Sequence, residues 1–175
     1  MKSFASLRSE RLNITLFQDA HISADYISWL NDPQLMQFSN QRFYLHNKES
    51  CQEYLKEFKN HENNLFLAVE DLNNNLLGTM TVYFDSKNNI IDLGILIGDK
   101  SSKRRGIGSE AWKAVSDWII TNLKPRKLTA GCMAVNLPML KLMENIGMEP
   151  DGVRKNHILW NDQFVDLIFM ALKNE

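Results

Sequence analysis

The sequence predicts a mixed α/β fold whose sheet is antiparallel in its first part and is continued through helical crossovers. Three observations predict this class. Polar and apolar residues alternate near the N-terminus, short β-rich segments separated by turn-forming clusters follow, and the second half alternates long helical and strand patterns. The predicted order of elements is β-α-α-β-β-β-α-β-α-β-β.

The first half of the chain contains the predicted meander. Alternation over residues 11–17 predicts a half-buried strand, and a helical pattern over 20–30 ends at the break Asn31-Asp32-Pro33. A second helix is predicted over 49–58, where apolar residues recur at three- and four-residue spacing. Three β-rich segments, at 65–69, 76–84 and 90–97, then follow one another across turn-forming clusters.

Longer elements follow in the second half. The pattern predicts a helix over about 107–123, a strand over 127–135, a helix over 137–146, and terminal strands near 148–154 and 164–172. A sheet of this kind places its ligand crevice where the strand arrangement changes. We therefore expect the site between the strand 90–97 and the strand 127–135.

Composition restricts the class of partner. The 175 residues are 44% hydrophobic and 23% charged, which is typical of a globular protein, and we expect one domain over residues 1–175. The net charge of −1 provides no long-range attraction to nucleic acid or to a membrane surface. Without an apolar stretch of signal-peptide or membrane-span length, a cytoplasmic location is expected.

The two cysteines give no indication of a metal site or a disulfide. Cys51 and Cys132 lie far apart and have no companion cysteine or histidine at metal-ligand spacing. Both are interpreted as reduced thiols, and Cys132, in an apolar strand-like run, as a buried structural one.

A basic, glycine-containing turn follows the strand 90–97 and leads into a helix. Lys103, Arg104 and Arg105 are three consecutive cations, and Gly106 and Gly108 allow an anion to approach the backbone. The first N–H groups of a helix have no internal partner, so such a turn can hold a phosphate. A merely solvated charge run is the alternative, because the spacing matches neither a dinucleotide fingerprint nor a Walker A loop.

Two segments resemble a known family. The run Leu93-Gly94-Ile95-Leu96-Ile97-Gly98-Asp99-Lys100, followed by Gly106-Ile107-Gly108-Ser109-Glu110-Ala111, resembles the acetyl-CoA segment of the GNAT superfamily, whose loop reads Gln/Arg-x-x-Gly-x-Gly/Ala. Lys103 replaces the usual Gln or Arg, and Arg104 stands where many members have glycine. Asn136, the helix after it and Gly147 resemble the family's Asn-helix-Gly-Phe block, with Met148 in place of phenylalanine. Residues 29–33 and 166–172 resemble the branch of ribosomal-protein-alanine and amino-sugar acetyltransferases.

This resemblance implies a fold, an activity and a cofactor site. The fold would be a GNAT-like, mostly antiparallel sheet with helices on both faces, splayed between its fourth and fifth predicted strands. The activity would be direct transfer of an acetyl group from acetyl-CoA, without a metal, to a primary amine of a small molecule, for which an amino sugar is one candidate, or to a protein N-terminus. The expected cofactor-binding residues are Leu96, Ile97, Lys103, Arg104, Arg105, Gly106, Ile107, Gly108, Ser109 and Asn136.

Some roles remain open between a functional and an ordinary explanation. Asp92, which interrupts an apolar run and matches an acidic residue of several members, is the candidate catalytic base, and the alternative is an exposed strand residue. Gln41 and Arg42 are candidates for acceptor binding or simply solvated. Asn136 is also a good helix N-cap. Met139, where many relatives have a serine or tyrosine, cannot donate a proton, so no general acid is assigned.

Other functional classes also compete. A non-catalytic acyl-CoA-binding or sensing module is the main alternative, because of Met139 and the altered loop. An RNA-associated protein that uses Arg126 and the basic turn is disfavoured, because the remaining charge is balanced. The identity of the amine, and whether the protein is a monomer or a homodimer, are not determined by the sequence.

Overall fold

The computed structural model describes residues 4–102 and 105–173. These described residues contain one eight-stranded sheet and five α-helices. The strands are β1 (Ser6–Arg8), β2 (Leu12–Leu16), β3 (Asn64–Asp71), β4 (Leu76–Asp85), β5 (Ile90–Ile97), β6 (Lys127–Met133), β7 (Glu149–Trp160) and β8 (Gln163–Lys173). The helices are α1 (Ala24–Leu30), α2 (Pro33–Met36), α3 (Lys48–Asn60), α4 (Ile107–Asn122) and α5 (Leu137–Asn145).

The sheet confirms the predicted mixed topology. Its strand order is β1-β2-β3-β4-β5-β6-β8-β7, and every neighbouring pair is antiparallel except β5 and β6. The parallel pair consists of three residue pairs, Ile90 with Lys127, Ile91 with Leu128 and Asp92 with Thr129. The strands separate beyond Asp92. β5 and β6 correspond to the fourth and fifth predicted strands, because the prediction did not include the short β1.

Helices cover both faces of the sheet, as expected. Since successive side chains of a strand point to opposite faces, β3 directs Leu65, Leu67 and Val69 to the core formed with α4 and α5. Phe66 and Ala68 point to the other core, which is formed with α1, α2 and α3. We call the two sides the α4 face and the α3 face.

The N-terminal helical region differs from its prediction. The stretch predicted as one helix over 20–30 is a 3₁₀ turn, Asp19–His21, followed by α1. The Ser23 hydroxyl accepts a hydrogen bond from the Tyr26 N–H, which starts α1 at this point. Asp32 caps α2 through the N–H groups of Gln34 and Leu35, so the predicted break is also a helix start.

The terminal hairpin is longer than predicted. β7 and β8 continue to a tight turn at Asn161 and Asp162, both with positive φ, a conformation that Asn and Asp tolerate better than most residues. The polar run after Arg154 obscures the strand pattern, and the structure accommodates it as a register irregularity between Arg154 and Ile158. None of the described helices is long and apolar enough to cross a membrane.

Candidate active site

The gap between β5 and β6 exposes one backbone edge of β5. Residues 93–97 pair with β4 on one side, whereas the β6 ladder ends at Asp92. Leu96 packs against the α3 face and Ile97 against the α4 face, so the predicted pantetheine-binding residues lie where the sheet is open. A free strand edge presents N–H and C=O groups that an amide-containing chain can pair with.

The N-terminus of α4 lies at the end of this opening. Gly106 occupies the N-cap position with φ +75°, a left-handed conformation that favours glycine. It has no side chain to cap the helix, so the first N–H groups are available to a phosphate. The Ile107 side chain is buried in the core, so only the backbone of this residue is available for ligand contact. Ser109 is exposed. Lys103 and Arg104 lie outside the described residues.

Arg11 anchors the start of α4. Its guanidinium donates to the backbone carbonyl of Arg105 at 2.8 Å and pairs with the Glu110 carboxylate at 2.6 Å. The Ser9 hydroxyl donates to the same carboxylate at 2.6 Å. These contacts tie the loop to the β1–β2 turn and hold its backbone in place. Arg105 itself is exposed, as expected for a cation that contacts a bound anion.

Gly108 faces the open strand. A Cβ added there would lie 3.5 Å from Cγ1 of Ile97 and 3.7 Å from Cδ1 of Leu142, both ordinary van der Waals distances. Packing of the protein alone therefore does not require glycine at position 108. The space that it leaves lies beside the β5 segment expected to bind the cofactor.

Asn136 has its ordinary structural role in the described fold. Its side-chain oxygen accepts a hydrogen bond from the Met139 N–H at 3.3 Å and caps α5. Met139 is partly buried against the α4-face core. The contact between Asn136 and the cofactor stays a prediction.

Asp92 lies at the apex of the gap and points to the α3 face, because its neighbours Ile91 and Leu93 are buried on the α4 face. Its carboxylate accepts a hydrogen bond from the Thr129 hydroxyl at 2.8 Å, and Tyr83 lies directly opposite on β4. The side chain reaches solvent, yet desolvation by the surrounding protein raises its pKa, against the opposing effect of the Thr129 bond. A carboxylate with a raised pKa is a better proton acceptor.

A cavity of about 810 Å³ opens on the same face, two residues along β5 from Asp92. Thr79, Thr81 and Gly94 form its floor. Its walls come from α1, α3, β3 and the segment 39–46, and they include Tyr26, Tyr54, Phe66, Glu53 and Glu57. The hydroxyls of Tyr54 and Tyr83 lie 3.1 Å apart and form a hydrogen bond between α3 and β4, beside Asp92.

The structure separates the two predicted acceptor-binding residues. Gln41 lines the main cavity. The Arg42 guanidinium instead donates to the carbonyls of Leu159 at 2.6 Å and Ser39 at 2.7 Å and lies 4.2 Å from the Phe43 ring centroid. Arg42 borders a smaller cavity of about 550 Å³ beside Trp160. The contact between Arg42 and the acceptor stays a prediction.

The segment over the cavity is fixed by Asn31. Its amide donates to the His46 carbonyl at 2.8 Å and accepts from the His46 N–H at 2.8 Å. Phe38 stacks on Trp160 at a centroid distance of 6.0 Å. Exposed aromatic and polar groups of this segment, including Tyr44, are thus held over the α3 face.

Sequence reasoning missed most of the cavity. Thr79 and Thr81 could have been noticed, because they alternate with the apolar Met80 and Val82 on one strand. Glu53 and Glu57 are one helical turn apart, on a helix whose apolar face alone was recognised. The wall is assembled from elements distant in sequence.

The comparisons with known proteins agree with this geometry. Residues 11–149 match the family model described as "Acetyltransferase (GNAT) domain". A curated relative, the probable N-acetyltransferase YjcK of Bacillus subtilis (strain 168), is 26% identical over 125 residues, which are 70% of this chain and 67% of the relative.

Solved structures share the fold. The spermidine N-acetyltransferase of Vibrio cholerae, solved with CoA and spermine, has a TM-score of 0.85 at 16% identity, covering 95% of this chain and 97% of that one. The ribosomal-protein-S5-alanine acetyltransferase of Vibrio fischeri has a TM-score of 0.83 at 18% identity and covers 98% of both chains. The family match spans most of the sequence, and the chain belongs to the GNAT acetyltransferase family as an acetyl-CoA-dependent N-acetyltransferase.

Proposed function

We propose that this enzyme, as a single domain over residues 1–175, transfers the acetyl group directly to a primary amine bound on the α3 face, with Asp92 as the catalytic base. The observation that carries the proposal is the position of Asp92, at the apex of the β5–β6 gap and beside a large cavity on the same face. The gap suits the acetyl donor, and the cavity suits the acceptor.

The described residues fit acetyl-CoA. The free edge of β5 at Leu96 and Ile97 offers backbone partners for pantetheine amides, and the start of α4 at Gly106 to Ser109, together with Arg105, offers donors for the pyrophosphate. Acetyl-CoA supplies the activated thioester. Lys103, Arg104 and Asn136 are proposed as further cofactor contacts.

Asp92 removes the proton that the attacking amine loses, either directly or through a water molecule. The amine nitrogen forms a C–N bond with the acetyl carbon while the C–S bond breaks, and the thiolate leaves with the bonding electron pair. Since a thiol has a pKa of about 8.5, the thiolate can take its proton from solvent. This makes a dedicated acid at Met139 unnecessary.

The proposed function includes two classes of acceptor amine. Structural neighbours are named for spermidine and for a ribosomal protein alanine. A small-molecule amine and a protein N-terminus are both compatible with acetyl transfer in this family. The acceptor contacts Gln41 in the cavity, whereas Arg42 is held elsewhere.

Replacement of Asp92 by Asn tests the proposal. We expect kcat to fall by about 10²- to 10⁴-fold, a typical contribution of a general base, while the dissociation constant of acetyl-CoA is unchanged. The rate of the variant should recover as pH rises, because more of the amine is then neutral. Thiol release and the acetylated amine, measured by mass spectrometry across pH, provide the readout.

The same substitution should not reduce stability, although it reduces the rate. Because folding raises the Asp92 pKa, ionised Asp92 costs folding free energy above its folded-state pKa and none well below its unfolded-state pKa. Asp92→Asn should therefore not lower the melting temperature at neutral pH.

Asp117→Asn, on the exposed side of α4, is the matched control and should retain the wild-type rate. A wild-type rate for Asp92→Asn at every pH would eliminate Asp92 as the base. Acetyl-CoA binding without turnover of any amine would instead support the sensing module that Met139 suggests.

A further inference from the structure

The main cavity carries an uncompensated negative charge. Its described lining residues include two glutamates, Glu53 and Glu57, and no lysine or arginine, so its formal charge is −2 with His46 neutral. The guanidinium nearest in sequence, that of Arg42, is bound to the carbonyls of Ser39 and Leu159 and does not line the cavity. This field favours a cationic acceptor and disfavours one that carries a carboxylate.

Glu53 and Glu57 are placed to act together. They are four residues apart on α3 and thus on the same side of the helix, an arrangement of like charges that costs helix stability. Both are exposed, and neither carboxylate forms an ion pair or a hydrogen bond with another described residue. The charge of Glu57 contributes, after desolvation and the Tyr83 hydroxyl, to raising the pKa of Tyr54 on the cavity wall.

The cavity floor contains an unsatisfied hydroxyl. Thr79 is only 5% exposed and lines the cavity, while its neighbour Met80 points into the opposite core. None of the hydrogen bonds within the described part of the chain uses the Thr79 hydroxyl. Because the Thr79 hydroxyl faces the open cavity without a partner in the described part of the chain, it can accept a hydrogen bond from a ligand N–H.

Gly94 keeps the floor open. A Cβ at this position would lie 2.6 Å from the Thr81 hydroxyl oxygen, closer than real side chains allow. Glycine therefore leaves a second hydroxyl accessible from the cavity, next to the β5 edge. The two threonines provide acceptors on the cavity floor, on the same face of the sheet as Asp92.

The remaining walls suit alternating methylene and ammonium groups. Tyr26, Tyr44, Tyr54 and Phe66 present aromatic surface, which packs against methylenes and attracts cations. A volume of about 810 Å³ holds a linear chain of several heavy atoms.

From these observations we infer that the acceptor is a small di- or polyamine, with one amine beside Asp92 and a second ammonium group held by Glu53 and Glu57. The inference rests on the proposed function and names its substrate class. Tyr54 lines the cavity and bonds to Tyr83, which lies opposite Asp92 on β4, so this pair would contact the connecting methylenes.

The experiment compares α,ω-diamines of four to eight carbons with n-alkylamines of the same length. For the wild-type enzyme, we expect kcat/KM for the best diamine to exceed that for its matched monoamine by about tenfold or more. Two exposed carboxylates that bind one ammonium group would give an effect of this size. The double variant Glu53→Gln, Glu57→Gln should reduce this ratio to about one. The preference should also weaken as ionic strength rises, because both carboxylates are exposed.

Glu49→Gln is the matched control, because Glu49 lies on the same helix but does not line the cavity. It should retain the wild-type ratio. Equal kcat/KM for diamines and monoamines, a preference that survives the double variant, or an equal loss in the Glu49 variant would each overturn the inference.

Calorimetric titration of the diamine separates this inference from the proposed function. Diamine binding that the double variant abolishes, with no acetylation of any amine, would support the diamine site at Glu53 and Glu57 and contradict the proposed function. Acetylation of peptide N-termini by an enzyme that neither binds nor acetylates diamines would do the reverse.

Discussion

The two faces of the sheet differ in how completely they are filled. On the α4 face, Trp112, Val115 and Ile119 are fully buried against strand residues. On the α3 face, the same strands border a cavity of about 810 Å³ with threonines on its floor. One strand shows the contrast, since β4 directs Met80 to the filled face and Thr79 to the open one.

This difference assigns separate tasks to the two faces. Close-packed apolar side chains stabilise the fold on the α4 face, whereas the α3 face leaves space and polar groups for an acceptor. The faces meet at β5, where pairing with β6 stops at Asp92 and leaves a route between them. In the proposed mechanism, the acetyl donor and the acceptor approach Asp92 from different sides of this route.

The largest effect that this comparison predicts is on stability. Trp112→Ala should lower the free energy of unfolding by about 3–5 kcal/mol, because it empties the largest fully buried side-chain volume of the α4 face. Its indole N–H has no partner among the described residues, so lost packing accounts for the change. Urea denaturation followed by circular dichroism measures it.

Thr79→Val is the matched substitution on the open face. It removes a hydroxyl that has no partner and keeps a β-branched side chain, so the free energy of unfolding should change by no more than about 1 kcal/mol. Similar losses for the two variants would show that the faces are not distinct in the way described.

A smaller effect is expected where the faces meet. Gly108→Val should weaken acetyl-CoA binding by about tenfold, or about 1.4 kcal/mol, because the new side chain fills the space beside Ile97. Folding should change by no more than about 1 kcal/mol, since the Cβ meets only ordinary contacts and valine is a better helix former than glycine. Isothermal calorimetry and thermal melting measure the two quantities.

Lys113→Val provides the control, because it places the same side chain at an exposed position of the same helix beyond the first turn. Wild-type affinity in the Gly108 variant, or an equal loss in the Lys113 variant, would place the cofactor elsewhere.

Much of the fold could be predicted from local sequence patterns. The long strands and helices have clear periodicity, and the β5–β6 opening followed from the family resemblance. β1 escaped prediction because three residues are too few to show a period. The full length of β7 was missed because Lys155, Asn156 and His157 interrupt its pattern, while pairing with β8 maintains the strand.

The candidate site was only partly predictable. Asp92 could be noticed because a charged residue interrupts an apolar strand. The direction of Arg42 could not, because its partner, the carbonyl of Leu159, is 117 positions away in sequence. Nor could Glu53 and Thr79 be grouped, since only the packing of α3 over β4 and β5 brings them to one cavity.

The central claim is that the unpaired edge of β5 and the start of α4 hold acetyl-CoA, and hydrogen–deuterium exchange tests it most directly. With saturating acetyl-CoA, we predict slower exchange at those amides of residues 93–97 that do not bond to β4, and at the first turn of α4. Exchange in Leu12–Leu16, which lies between two paired strands, should not change. Binding shown by calorimetry, with protection only outside these two segments, would contradict the claim.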